Sequence, residues 1–269
     1  MIERIKEIAG FCSTILTFAF FILTEDNIVV LSNALHISMW IVKLLLIIVA
    51  FFISTIANLL FHIIRWRKTI RGYNYTIVVK KANIFHMKKC YKVIPFDECF
   101  TSKVGTDPGD INSNSICGQY IRKISHKYLD VSNYIRKIID SLEPSKTPSE
   151  YKNKKRYPSG TIAVADDYLL LAFAKLNKNG NGVMKYDDYL ECLDKMWEEL
   201  DKYRNGKDIC IPILGSSSAT RFSDANLSTQ DLLNIIICTY RLSKHKAQNT
   251  GKLYIVYKDA NAISLDDVS

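Results

Sequence analysis

The stretch CIPILGSSSATRF (Cys210–Phe222) combines residue types that can hold an anion. An apolar run ends at Gly215, and three serines, an alanine, a threonine and an arginine follow before Phe222. Ser228–Asp231 (STQD) then reads as the capping box of a helix. A strand that opens through small residues toward a helix leaves backbone N–H groups free to cradle a phosphate. Arg221 would add a charge-assisted bond. In open α/β sheets ligands sit outside the carboxyl ends of the strands, so Gly215–Phe222 is a diphosphate site in outline. A plain strand-to-helix connection would use the same residues, since neither GxGxxG nor GxxxxGK[ST] occurs.

Other candidates are weaker. Asn177–Asp188 (NKNGNGVMKYDD) follows the frame of a calcium loop, with Gly182 at the sixth position. Its first three ligand positions are neutral Asn, the ninth is Lys185 and the last is the short Asp188, too little charge for calcium. It reads better as a Gly/Asn turn before a helix, and no metal site is expected. The seven cysteines are scattered, with no CxxC, which argues against a zinc site or a disulfide framework and for a reducing compartment. Net charge is +9, open to a nucleic acid, an anionic membrane or an anionic ligand. The basic cluster Lys152–Arg156 has only Tyr151 and Tyr157 beside it, a poor stacking platform, so no nucleic-acid partner is expected.

The elements that must position these residues alternate. YTIVVKKANIF (Tyr75–Phe85), CYKVIPF (Cys90–Phe96), GTIAVA, YLLLAFAKL, DICIPIL and KLYIVY read as strands. Ile121 to Leu142 recurs at helical spacing, as do Asp187–Tyr203 and Ser228–Leu242. Thr101–Ser115 reads as a loop, the segment EPSKTPSEYKNKKRYP as a solvated insertion, and the last ten residues as frayed. This order predicts an α/β layered sheet with flanking helices.

The first part of the chain is different. Ile8–Thr24 and Leu44–Ile64 carry no charged residue. The second run is long enough to span a hydrocarbon core of roughly 30 Å. Arg65, Arg67, Lys68 and Arg71 follow it, and Arg4 and Lys6 precede the first run. The positive-inside rule then predicts a two-pass transmembrane hairpin over residues 1–72, with helices at about 8–24 and 40–64. Glu25–Asp26 would form the outer turn, and both termini and the 73–269 domain would be cytoplasmic. A cleaved signal peptide with its site at Ser32–Ala34 fits less well, because Glu25–Asp26 interrupt the approach. Thr55, Asn58 and His62 share one helix face, which suits helix packing or, in an assembly, a polar path.

The soluble segments resemble, in order, a macro domain with its three-layer sheet. The chain as a whole resembles the membrane-anchored macro-domain effectors of Thoeris-type bacterial antiphage defence. The likeness is carried by KVIPFDECF (Lys92–Phe100), DINSNSICGQYI (Asp110–Ile121), RYPSGTIA (Arg156–Ala163), LLLAFAKLNKNGNGV (Leu169–Val183) and IPILGSSSATRF. The resemblance implies a sensor with no cofactor of its own and no enzymatic activity. Its ligand would be an ADP-ribose derivative, histidine-linked in this branch, made from NAD by a TIR-domain partner. Binding would drive the helices to assemble into a homo-oligomer and disrupt the inner membrane lipid. By the same resemblance, Gly215, Ser216, Ser217, Ser218, Ala219, Thr220, Arg221 and Phe222 form the second phosphate loop. Ser115, Ile116, Cys117, Gly118 and Gln119 form the first ligand loop. Asn83 and Ile84 fall on the adenine side, with Asn83 where macro domains carry an aspartate. Asp97 and Glu98 replace an Asn-rich stretch at the distal ribose, where they would meet a cationic or imidazole group or stay solvated. The alternative is a membrane-anchored hydrolase of ADP-ribose conjugates, with Asp97, Glu98 or Asp110 activating water.

Overall fold

In the computed structural model the described residues are 25–217, 220–245, 251–259 and 262–268. The chain divides into two compact units, Met1–Trp66 and Arg67–Ser269.

In the first unit, helix α1 spans Glu25–Leu35 and helix α2 spans Met39–Arg65. The second agrees with the expected helix at 40–64; its 27 residues extend about 40 Å at 1.5 Å each. The expected helix at 8–24 lies outside the described residues. The expected Glu25–Asp26 turn is corrected: both residues belong to α1, since carboxylates interrupt an apolar run without interrupting a helix. Among the described residues no single helix is long and apolar enough to cross a membrane. Ile28–Ala34 and Met39–Ile53 reach that length and composition together, across a 106° bend. The hairpin as drawn from the sequence therefore has no support here. Thr55 Oγ1 donates to Phe51 O of its own helix at 2.8 Å, which satisfies one member of the polar stripe internally.

The second unit begins at Arg67, earlier than the expected boundary at 73. Basic Arg67–Gly72 is strand β1, paired antiparallel with β2 (Tyr75–Lys81). The other strands are β3 (Cys90–Asp97), β4 (Ile162–Ala165), β5 (Tyr168–Leu176), β6 (Gly182–Met184), β7 (Asp208–Pro212), β8 (Thr220–Phe222) and β9 (Leu253–Tyr257). Their order is β1-β2-β9-β7-β3-β5-β6-β8, with β4 also on β5. The central strands β2, β9, β7, β3 and β5 run parallel.

Both faces of this sheet are covered, so its strands read as continuous apolar runs instead of alternating ones. Side chains still alternate between two cores. Val93, Leu169, Leu171, Ile209, Ile211 and Ile255 face helices α5 (Tyr186–Arg204) and α6 (Thr229–Leu242). Ile94, Phe96, Leu170, Ala172, Cys210 and Val256 face α3 (Ile116–Ser125) and α4 (Val131–Ile139). The three-layer expectation is met.

Three expectations change. The single helix expected over 121–142 is two, because Asp130 caps a fresh start by accepting from Asn133 N at 2.9 Å. The tail does not fray completely, since Ile263 and Val268 are buried in the core. The insertion around 143–158 is anchored at buried Ser149, Tyr151 and Tyr157.

Candidate functional site

The sheet opens between β3 and β7. Their ladder stops at Lys92↔Cys210, while β3 continues to Asp97 and β7 to Pro212. The chain leaves β3 for α3 on one face and leaves β7 for α6 on the other. The gap is thus a topological switch point, where open α/β sheets hold ligands.

Two adjoining cavities occupy it, one of about 150 Å³ and one of about 320 Å³. They share Ser115, Ile116, Pro212, Ile213, Ser216 and Ser217, so they form one crevice with those residues at its waist. The smaller compartment ends against Asp97, Asp110, Asn112 and Gly180; the larger ends against Ile84, Tyr257, Lys258 and Asp259.

On one side of the waist stands the start of α3. Ser115 is its N-cap: Oγ accepts from Gly118 N at 3.0 Å and donates to Asn112 O at 2.7 Å. The N–H groups of Ile116 and Cys117, at the first two helical positions, have no intrahelical acceptor and carry the positive end of the helix dipole. On the other side runs Gly215–Ser217. Gly215 has φ +83°, and an added Cβ would stand 3.0 Å from the ring of Phe222. Any side chain there would be strained and would press on that ring.

The expected residues separate into groups. Ser115, Ile116, Cys117, Gly215, Ser216, Ser217 and Thr220 line the crevice. Ser218 and Ala219 lie outside the described residues. Arg221 does not point in. Thr220 and Phe222 face the site side of β8, and strand alternation turns exposed Arg221 to the opposite side. Phe222 supports Gly215 from behind and meets Tyr189 edge to face, with ring centroids 5.4 Å apart. Gly118 packs beneath the loop at Asn112–Ser113. Gln119 ties the same loop to the end of β9, donating to Asn114 O at 2.7 Å and accepting from Lys258 Nζ at 3.4 Å. Ile84 lines the larger compartment, but Asn83 caps the short 3-10 turn at Ile84–His86, accepting from Phe85 N at 3.0 Å.

The carboxylates diverge. Asp97 reaches the crevice where the β3–β5 register shifts, an irregularity that re-aims a side chain. Burial pushes its carboxyl up, and bonds from Cys99 N at 2.8 Å and Thr101 N at 3.3 Å pull it partly back. Glu98 points away and is structural. It accepts from Ser149 Oγ at 2.5 Å and Leu176 N at 3.3 Å, and pairs with Arg156 at 3.2 Å. Asp110 pairs with Lys103 at 2.9 Å. Burial pushes the Cys117 thiol well up, so no thiolate is available there.

Asp97 gives a pH prediction. A carboxyl raised in the folded state holds its proton more tightly there than in the unfolded chain. Stability therefore falls as pH rises from the ordinary carboxylate range to the raised value. Asp97→Asn is expected to remove that fall, so its thermal midpoint should gain on the parent as pH rises through this window. Parallel melting curves would check it; a constant offset would mean the carboxylate is not desolvated.

The sequence did not single out Asn112, Gly180, Tyr257, Lys258 or Asp259 as lining residues. The Gly/Asn turn does have a place. Asn177 Oδ1 accepts from Asn179 N and Asn181 N, both at 3.0 Å, which spends the first oxygen of the calcium-like frame on the turn itself. Gly180 then closes the smaller compartment.

A parallel-centred α/β sheet with its crevice at the switch point and small-residue loops at its waist is the arrangement in which open α/β folds hold their ligands. Residues 77–258 match the family described as Thoeris protein ThsA, Macro domain, and the chain belongs to that family. Thoeris protein ThsA of Bacillus amyloliquefaciens (strain Y2) is 31% identical over 193 residues, covering 68% of this chain and 63% of the relative. This chain thus spans less than two thirds of that relative's length. Among solved structures, the Oceanobacillus iheyensis macrodomain with MES bound has a TM-score of 0.48 at 10% identity, covering 73% of this chain and 90% of that chain. A mutant of the same macrodomain with ADPR has a TM-score of 0.45 at 10% identity, covering 73% and 92%.

Proposed function

We propose that this chain is an antiphage defence effector whose macro domain binds an ADP-ribose-type signal without turning it over. The observation that carries the reading is the two-compartment crevice pinched between the start of α3 and Gly215–Ser217. A diphosphate at the waist would take the N–H groups of Ile116 and Cys117. The adenosine end would lie against Ile84 and Tyr257, and the distal ribose with its conjugated group against Asp97 and Asp110. The described waist offers backbone groups and hydroxyls instead of a guanidinium. Binding in place of hydrolysis is supported by the high thiol of Cys117 and by Glu98, which is committed to structure.

In this reading a TIR-domain enzyme supplies the signal, histidine-linked ADP-ribose being the leading candidate, and the effector acts at the inner membrane as a homo-oligomer. The membrane role is supported by α2, which leaves Trp40, Leu44, Val49, Phe52 and Ile56 more than half exposed. The ligand must favour the active arrangement over the resting one to shift it. The alternative is hydrolysis of the conjugate with buried Asp97 as base.

The test is calorimetry on the full chain in detergent, titrated with ADP-ribose, NAD and histidine-linked ADP-ribose, with each ligand recovered afterwards. Saturable heat with one ligand returned intact is expected, and Arg221→Ala should leave its affinity within about twofold, well under the tenfold that 1.4 kcal/mol represents. Converted ligand would favour the hydrolase; no heat from any of the three would sink the ADP-ribose reading.

A further inference from the structure

The two helical layers of the macro domain carry opposite charge. Helix α5 bears seven carboxylates against three cations. Asp187, Glu191, Asp194, Glu198 and Asp201 recur at helical spacing along its solvent side, opposite buried Tyr189, Cys192, Met196 and Trp197. Glu198 is neutralised by Lys195 at 2.9 Å and Lys202 at 3.3 Å, and Asp201 lies 3.4 Å from His245. Asp187, Glu191 and Asp194 have no ion-pair partner among the described residues.

Across the sheet the balance reverses. Residues 116–139, which make α3, α4 and their connection, hold five cations and one carboxylate, the N-capping Asp130. Lys127 pairs with Asp166 at 3.3 Å. Lys123, Arg136 and Lys137 are exposed, with no carboxylate partner among the described residues. Each face also shows isolated apolar side chains: Leu129 is fully exposed between α3 and α4, while Val164 of β4 and Tyr186 at the start of α5 are exposed on the other side.

We infer that the macro domain stacks on further copies of itself, with the acidic side of α5 in one copy seated on the basic α3–α4 side of the next. Charge complementarity selects this partner. Two like faces would bring like charges together, which disfavours a two-fold dimer through either face. The contact is therefore heterologous and leaves one face open at each end, the arrangement that extends into rings or open arrays. The crevice lies at the strand ends and the stacking faces on the flat sides of the sheet. The inference accordingly stands apart from the ligand reading.

The test uses the full chain in detergent, with mass measured by sedimentation and folding checked by near-ultraviolet circular dichroism. One variant combines Asp187→Lys, Glu191→Lys and Asp194→Lys; the other combines Lys123→Glu, Arg136→Glu and Lys137→Glu. The parent is expected to form multimers at low salt that dissociate as salt rises. Each variant alone, with two like faces, should lose that multimer mass. An equal mixture should regain it, because either face of one variant then meets its complement on the other. Association that ignores both charge reversals, a mixture of folded variants that does not recover, or a parent without salt-sensitive multimers would each overturn the inference. A parent that stacks this way yet gives no heat with ADP-ribose compounds would sink only the ligand reading.

Discussion

Gly118→Ala is expected to weaken ligand binding by roughly 50- to 100-fold, about 2.5 kcal/mol, while leaving the thermal midpoint nearly unchanged. The two effects separate because the substitution acts in opposite directions. Alanine is the best helix former, worth up to about 1 kcal/mol over glycine inside a helix. The added Cβ, however, would overlap the carbonyl oxygen of Asn112 and stand 2.9 Å from Cα of Ser113. Both are backbone atoms, so no rotamer can absorb the collision and the loop itself must move. Asn112 lines the smaller compartment, and its carbonyl accepts from Ser115 Oγ and Ser115 N, at 2.7 and 3.0 Å. Displacing it tilts the N-cap and with it the N–H groups of Ile116 and Cys117. The helix can survive that shift, whereas a diphosphate held by two N–H groups cannot follow it. Calorimetry on folded Gly118→Ala checks this. An affinity within threefold of the parent would mean that the start of α3 does not hold the ligand.

The central strands and the long helices were legible because burial on two faces, or on one helical stripe, writes itself into the residue pattern. Ser228–Asp231 was legible for a different reason: a capping box is local chemistry, and both of its reciprocal bonds are present. What stayed hidden depends on partners distant in sequence. Arg221 looked like a phosphate ligand because it follows a small-residue loop. Only its place in three-residue β8, which pairs with β6, determines which way it points. Strands of three residues carry too little pattern to be seen. Arg67–Gly72 was hidden in another way, since its charges read as the flank of an apolar helix, yet charges suit an exposed edge strand equally well. The crevice was half legible. The loops at its waist follow strand–helix junctions, which the order of elements exposes. Its far walls come from Lys258–Asp259 and from a Gly/Asn turn that resembles a weakened calcium loop.

The insertion 143–158 is the part most misread from composition, and it carries the largest expected loss of stability. Three prolines and a basic run suggest a solvated excursion. Instead one buried carboxylate, Glu98, clasps it: Oε1 accepts from Ser149 Oγ and Leu176 N, and Oε2 takes Arg156. Arg156 in turn donates to Thr147 O at 2.8 Å, and Tyr151 OH donates to Pro108 O, which ties the insertion to the loop lining the smaller compartment. Replacing Glu98 with alanine leaves one guanidinium nitrogen (Nη1) of Arg156, a hydroxyl and a strand N–H without their acceptor, and breaking one side of such a pair costs about 3–5 kcal/mol. Arg156 is partly exposed and can recover some hydration, so the low end applies. For a domain of this size that is a fall of about 10 °C in the thermal midpoint. Glu98→Gln separates charge from shape. Its oxygen can still serve Ser149 and Leu176, while its amide faces Arg156 donor to donor, so roughly half the loss should remain. In both variants limited proteolysis should cut first within 143–158, ahead of global unfolding. If Glu98→Ala melts within about 2 °C of the parent, less than 1 kcal/mol is at stake and the clasp does not hold the insertion. The expected fall would mean that the basic insertion is a rigid wall of the macro domain, set in place by the residue that directly follows Asp97 of the crevice.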